Sequence, residues 1–179
     1  MSNVELHAVE TSTDWTDDEL DKMIVFCILD RAMPYFKVTK VWEALDESGM
    51  TTRKEIQEWE VEDISKVLKS VGHRFPNQAA VFIKEFGDNP IDLRTATRQE
   101  LVDNIKGIGM KLASMFLVRT RGYEFAILDV HIKNWLKERG RVSNNYTELE
   151  EMFFEEADKL GVSPNDLDLL IWDERRLKQ

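Results

Sequence analysis

The chain lacks the marks of several protein classes. A single cysteine in 179 residues, Cys27, excludes an intrachain disulfide framework and a four-cysteine iron–sulfur cluster. It lies in the apolar run Phe26-Cys27-Ile28-Leu29 and reads as a buried small hydrophobe. Three histidines, His7, His73 and His131, are scattered among acids without metal-ligand spacing, so no metal site is expected. No apolar stretch reaches a membrane span, and Met1-Ser2-Asn3-Val4-Glu5 has neither the basic nor the hydrophobic part of a signal peptide. An intracellular protein with no membrane partner is therefore expected. Prolines number only four, and there is no internal repeat or low-complexity segment. The length suits one core, divided at most into two helical lobes by a cleft.

Period-two alternation is also missing, whereas helix starts are frequent. Thr16 with Glu19, Thr52 with Glu55, Thr97 with Glu100 and Thr147 with Glu150 have capping-box spacing, and Ser163-Pro164 with Asp166 opens a further helix. An all-α domain of eight to ten helices is expected. The first spans 16–31, burying Leu20, Ile24 and Ile28. Others cover 37–47, 52–58, 60–71 and 76–86, and Asn89-Pro90 breaks the chain before a helical hairpin at 97–121. Helices at 147–160 and 164–177 close the fold.

Residues 101–135 are the most informative. A helix with Leu101 and Ile105 on its apolar side stops at Lys106-Gly107-Ile108-Gly109, and a second begins at Met110 with Leu112, Met115, Phe116 and Leu117 to bury. The glycines permit dihedrals closed to other residues and leave backbone N–H groups bare at a helix N-terminus. With the Lys106 cation beside it, this turn suits a nucleic-acid backbone gripped without base reading. The alternative is a tight helix–helix corner.

Lys111 falls in the first turn of the second helix. There the macrodipole disfavours an ammonium and helps lower its pKa toward that of an amine nucleophile. Eighteen positions on, Asp129 follows Phe125-Ala126-Ile127-Leu128 and precedes a helical stretch from Val130 to Lys137, which makes it an N-cap held ionised by backbone N–H groups. An amine beside such a carboxylate can attack a sugar C1′: the anion stabilises oxocarbenium charge, and the amine expels the base and forms a Schiff base. Singly, Lys111 is more often a solvated lysine and Asp129 a plain cap; together, at this spacing around this hairpin, they favour the chemistry.

The formal charge of −10 argues against a nucleic-acid partner until its distribution is followed. Residues 104–141 carry eight cations against three acids, a net +5, leaving −15 for the rest. A basic face around the hairpin fits DNA binding, whereas cations scattered over exposed helices would not.

The hairpin and downstream aspartate resemble those of the helix-hairpin-helix (HhH-GPD) DNA glycosylase superfamily. Gly72-His73-Arg74-Phe75-Pro76-Asn77, with Ala79 and Ile83, is similar to the G-x-R-F-P-N signature of the type-2 8-oxoguanine DNA glycosylase/AP lyase family. Phe26-Cys27-Ile28-Leu29, Lys106 through Ser114, and Leu160-Gly161-Val162-Ser163-Pro164 with Leu167 to Trp172 resemble other parts of that family, in the expected order. The resemblance implies a two-lobed helical fold with a central cleft. Residues 16–34 with about 142–179 would form one lobe, and about 35–141 the other.

It also implies a base-excision glycosylase with AP lyase activity on an oxidised purine, 8-oxoguanine. Lys111 and Asp129 would be catalytic, with double-stranded DNA containing a damaged base as partner, no cofactor, a monomeric state and a cytoplasmic or nucleoid location. DNA contacts are expected from Lys106, Gly107, Gly109, Arg74, Phe75, Asn77 and His131. Phe75, before a proline and so extended, is either a wedge filling the gap left by a flipped base or a hydrophobic staple. Trp172 either stacks on that base or packs in the core. His131 reads as a first-turn residue contacting backbone or phosphate rather than a catalyst.

Met33 and Pro34 belong to a pocket segment that departs from the family. Asp30-Arg31-Ala32-Met33-Pro34-Tyr35 stands where small and polar residues are usual, and Asp173 to Gln179 replaces an aromatic, a Thr-Gly turn and a terminal lysine. An enzyme for another modified base, a pyrimidine included, and a non-catalytic DNA-binding module remain alternatives.

Overall fold

A computed structural model of the chain describes residues 14–176. The readings made on Met1 to Glu5, His7 and Leu177 to Gln179 lie outside them. Among the described residues there are ten α-helices and no strand. They are α1 (Asp17–Leu29), α2 (Tyr35–Glu47), α3 (Arg53–Ile56), α4 (Val61–Ser70), α5 (Pro76–Gly87), α6 (Arg98–Asn104), α7 (Met110–Arg121), α8 (Val130–Glu138), α9 (Tyr146–Leu160) and α10 (Pro164–Arg176). No helix among these residues is long and apolar enough to cross a membrane.

The starts are chemical. Thr16, Thr52 and Thr97 each accept from the backbone N–H three residues on, while Glu19, Glu55 and Glu100 reach back to the cap, so all three boxes form. Ser163 Oγ accepts from Asp166 N–H at 3.1 Å. The box expected at Thr147 and Glu150 does not form. Asn145 caps α9 by accepting from the Thr147 and Glu148 N–H groups, and Glu150 is buried in other work.

By contact the chain falls into two compact units, whose described parts are residues 14–109 and 110–176. This division differs from the lobes expected above, and its boundary follows the hairpin glycines. In the first unit α1 is the central helix: Leu20 and Met23 to Leu29 are all buried, with α2 and α5 packed against it. A helix apolar nearly all round is stable only when enclosed in this way. Arg53 braces the unit. Its Nε donates to Asp21 Oδ1 at 2.8 Å, its backbone N–H to Asp21 Oδ2 at 2.9 Å, and its Nη1 to the carbonyls of Asn89 and Ile91. Asp21 is thus buried but well supplied with donors.

In the second unit Ile132, Trp135 and Leu136 of α8 pack with Leu149, Phe153 and Ala157 of α9 and with Leu167 and Ile171 of α10. Ala126 and Leu128 close that cluster. The segment Phe125 to Leu128 is irregular, pinned by buried apolar side chains at alternate positions.

Candidate active site

The second unit holds Lys111, Asp129, His131 and Trp172. Lys111 is partly buried in the first turn of α7, as its spacing implied. Asp129 is the N-cap of α8, with φ −79° and ψ −177°, and its Oδ1 accepts from Ile132 N–H at 2.8 Å. That bond fixes the carboxylate at the positive end of α8. His131 is partly buried in the first turn of the same helix. Trp172, on α10, is also partly buried, one residue past the core side chain Ile171.

Asp168 lies one turn before Trp172 and next to Leu167 of the core, so the two share a face of α10. Burial pushes its pKa up to about 7, the nearby Asp129 carboxylate pushes the same way, and the Arg119 guanidinium opposes both. Asp168, Asp129 and Arg119 therefore form a charge cluster in which the Asp168 carboxyl titrates near neutrality. In the sequence Asp168 lies within the stretch from Leu167 to Trp172 and carries no signal of its own.

The first unit holds Met33, Pro34, Arg74, Phe75, Asn77, Lys106, Gly107 and Gly109. Phe75 is 40% exposed at the N-cap of α5, a large aromatic left open to solvent. Its φ of −129° is extended, but its ψ of 61° falls short of the usual pre-proline value. Phe75 N–H donates to His73 Nδ1 at 3.1 Å, so the proton sits on Nε2, which donates to the Leu29 carbonyl at 3.1 Å. His73 is buried, and desolvation holds its pKa below the ordinary value. One neutral imidazole thus ties the Phe75 turn to the end of α1.

Arg74 links the same turn to the segment after α1. Its backbone N–H meets Met33 Sδ at 3.3 Å, and its Nη1 donates to the Ala32 carbonyl at 3.2 Å. Ala32 has φ +51°, a left-handed conformation that is unfavourable for alanine. Pro34 is exposed and caps α2 with extended dihedrals. Asn77 is exposed, with its Oδ1 accepting from Ser65 Oγ at 2.7 Å.

Arg31, unassigned by the sequence reading, joins these residues to the hairpin. Its guanidinium lies 5.9 Å from the Phe75 ring centroid and 5.5 Å from that of Phe82, while Nη1 donates to Gln78 Oε1 at 2.7 Å. Phe82 lies in turn against Gly107, where a Cβ would fall 2.7 Å from its Cδ2. Gly107 has φ +87°, so both backbone and space demand glycine. Gly109 does not meet that expectation: its φ is ordinary and a Cβ there would meet open space. Its contribution is a bare backbone just before α7. Lys106 is exposed and pairs with Glu85 at 2.9 Å.

Among the described residues no group of three or more His, Cys, Asp or Glu side chains could hold a metal ion.

An all-helical chain with a lysine opening the helix after a glycine hairpin and an aspartate capping the next helix has the organisation of a helix-hairpin-helix DNA glycosylase. The family model described as 8-oxoguanine DNA glycosylase matches residues 5–162, and the chain belongs to that family. It is 32% identical over 176 residues to the 8-oxoguanine DNA glycosylase/AP lyase of Thermotoga maritima, covering 88% of this chain and 80% of that one. The crystal structure of the Thermotoga maritima 8-oxoguanine DNA glycosylase matches with a TM-score of 0.76 at 28% identity, over 89% of this chain and 80% of that one. The Methanocaldococcus jannaschii 8-oxoguanine glycosylase/lyase, in complex with a 15mer DNA containing 8-oxoguanine, matches with a TM-score of 0.74 at 26% identity, over 91% and 83%.

Proposed function

We infer that this protein is a base-excision repair glycosylase with AP lyase activity, removing 8-oxoguanine from duplex DNA. The observation that carries this reading is the pairing, in one compact unit, of Lys111 at the start of α7 with Asp129 capping α8, in a chain whose relatives are named for both activities. In this mechanism the nucleotide is rotated out of the helix and Phe75 fills the gap. The Lys111 amine attacks C1′, a C–N bond forms, and the bond from C1′ to the base breaks with its electron pair leaving on the base, which takes up a proton. The Asp129 carboxylate stabilises the positive charge that develops on the sugar. Ring opening gives a Schiff base, and loss of a C2′ proton expels the 3′ phosphate. Lysine and carboxylate chemistry supplies every step without a cofactor.

The same reading assigns Lys106, Gly107, Gly109, Arg74, Asn77 and His131 to the DNA backbone or the orphaned base, and Trp172, Met33 and Pro34 to the base pocket. It takes the protein as an intracellular monomer, with the lobe division drawn from the resemblance. One observation supports a different modified base: Arg31 occupies a segment where the family has small polar residues and lies over Phe75.

Borohydride reduction on duplexes carrying 8-oxoguanine, uracil or thymine glycol tests both points. The wild type should be trapped on 8-oxoguanine DNA, and Lys111→Gln should abolish trapping and strand cleavage while DNA binding survives. An undiminished adduct in that variant would exclude Lys111. Preferential release of a modified pyrimidine would keep the glycosylase class and discard the purine.

A further inference from the structure

The segment that delivers Asp129 to the N-terminus of α8 is irregular, so its backbone groups need partners from elsewhere. Three of those groups find partners on one face of α9, where Tyr146 and Glu150 are one turn apart. The Tyr146 hydroxyl donates to the Ala126 carbonyl at 2.5 Å and accepts from Leu128 N–H at 3.2 Å. The Ala126 N–H donates to Glu150 Oε2 at 2.9 Å. Both polar groups of Ala126 and the amide directly preceding Asp129 are therefore held by two side chains.

The surroundings make those bonds decisive. Ala126 and Leu128 are each 1% exposed, and Glu150 is buried, so water does not replace a lost partner. The chain then folds tightly back, with Asp129 N–H meeting the Ile127 carbonyl at 2.8 Å. Helix α8 fixes Asp129 from its other side through Ile132 N–H. A slip of the 126–128 segment would have to be absorbed by the aspartate, between two anchored stretches.

We propose that Tyr146 and Glu150 are positioning residues for Asp129, setting the register of residues 126–128 so that the carboxylate stands where charge develops on the sugar. This rests on the catalytic assignment of Asp129 made above. Neither side chain is given a contact with DNA; each acts through the backbone it holds.

The test is a double-mutant cycle read by single-turnover release of 8-oxoguanine, under conditions where melting curves show every variant folded. Tyr146→Phe removes only the hydroxyl. Release should slow by about 10- to 100-fold, as for a misplaced catalytic group, while affinity for a duplex with an uncleavable abasic-site analogue is unchanged. In an Asp129→Asn background the same substitution should add no further loss, because its effect passes through the carboxylate. A merely structural role would lower both backgrounds alike, and that result, or undiminished release by Tyr146→Phe, would overturn the positioning role alone. Full release by Asp129→Asn would overturn the site assignment and the positioning role with it. Should Tyr146→Phe not fold, Glu150 carries the test: Gln keeps an acceptor for Ala126 N–H and should retain release, while Met lacks one and should lose it. Equal release by those two variants would overturn the proposal.

Discussion

Replacing Asp168 with asparagine should stabilise the fold, increasingly so as pH rises. In the unfolded chain this carboxyl ionises near 3.8, while in the folded protein burial and the Asp129 charge raise that to about 7. Between these values the folded state binds the extra proton, so stability falls as pH rises through the window and the loss is complete above about 7. Three pKa units at about 1.4 kcal/mol each set an upper bound on the order of 4 kcal/mol. Partial exposure of Asp168 to solvent screens part of this, and roughly 2 kcal/mol is the working figure. Asparagine has nearly the same shape and no charge to desolvate. Melting of wild type and Asp168→Asn should therefore be alike at pH 4, while at pH 8 the variant should melt higher by about 4–8 °C. A difference that does not change between the two pH values would refute the argument. A carboxyl kept at the expense of stability beside a catalytic candidate is the pattern expected where a site, not the core, has dictated the residue.

Three further outcomes follow from the geometry. Gly107→Ala meets both a left-handed backbone and the Phe82 ring and should cost about 2–4 kcal/mol in urea unfolding, whereas Gly109→Ala should cost under about 0.5 kcal/mol; equal costs would contradict the geometry. Asp129→Asn keeps the α8 cap, so its stability should change by less than about 1 kcal/mol while single-turnover base release falls by orders of magnitude; near-normal release would reduce Asp129 to a structural cap. Trp172→Ala should weaken release of 8-oxoguanine more than binding of an abasic-site analogue, since stacking on a base contributes roughly 1–3 kcal/mol; equal losses would place Trp172 in the core.

Local chemistry was legible in the sequence, and tertiary proximity was not. The boxes at Thr16, Thr52 and Thr97 placed α1, α3 and α6 because each cap involves neighbours three residues apart. Thr147 with Glu150 had the same spacing and failed, since Asn145 offers the cap and Glu150 has a buried amide to satisfy. Asp129 was readable as a cap from its immediate context. Tyr146, Glu150 and Asp168 were not readable as parts of the site, because each matters through a residue distant in sequence. Arg31 carried a signal in the sequence, as a bulky cation where small residues are usual, but only the fold shows the two rings it covers. The ψ of Phe75 departs from its pre-proline expectation, and its N–H is taken by a side chain two residues back.

If Lys106 grips a DNA phosphate as proposed above, its pairing with Glu85 gives the hairpin a resident stand-in for that phosphate. A carboxylate already occupies the place that a DNA backbone oxygen would take, and an exposed pair of this kind contributes only about 0–1 kcal/mol, so it exchanges readily. On DNA binding the lysine would then change partners, leaving Glu85 to gather a cation from solution. That uptake offsets part of the counterion release that drives binding to the duplex. On that reading the lysine at the hairpin would contribute less to undirected adhesion along undamaged DNA than a bare cation, leaving the protein freer to move between sites until a displaced base adds contacts of its own.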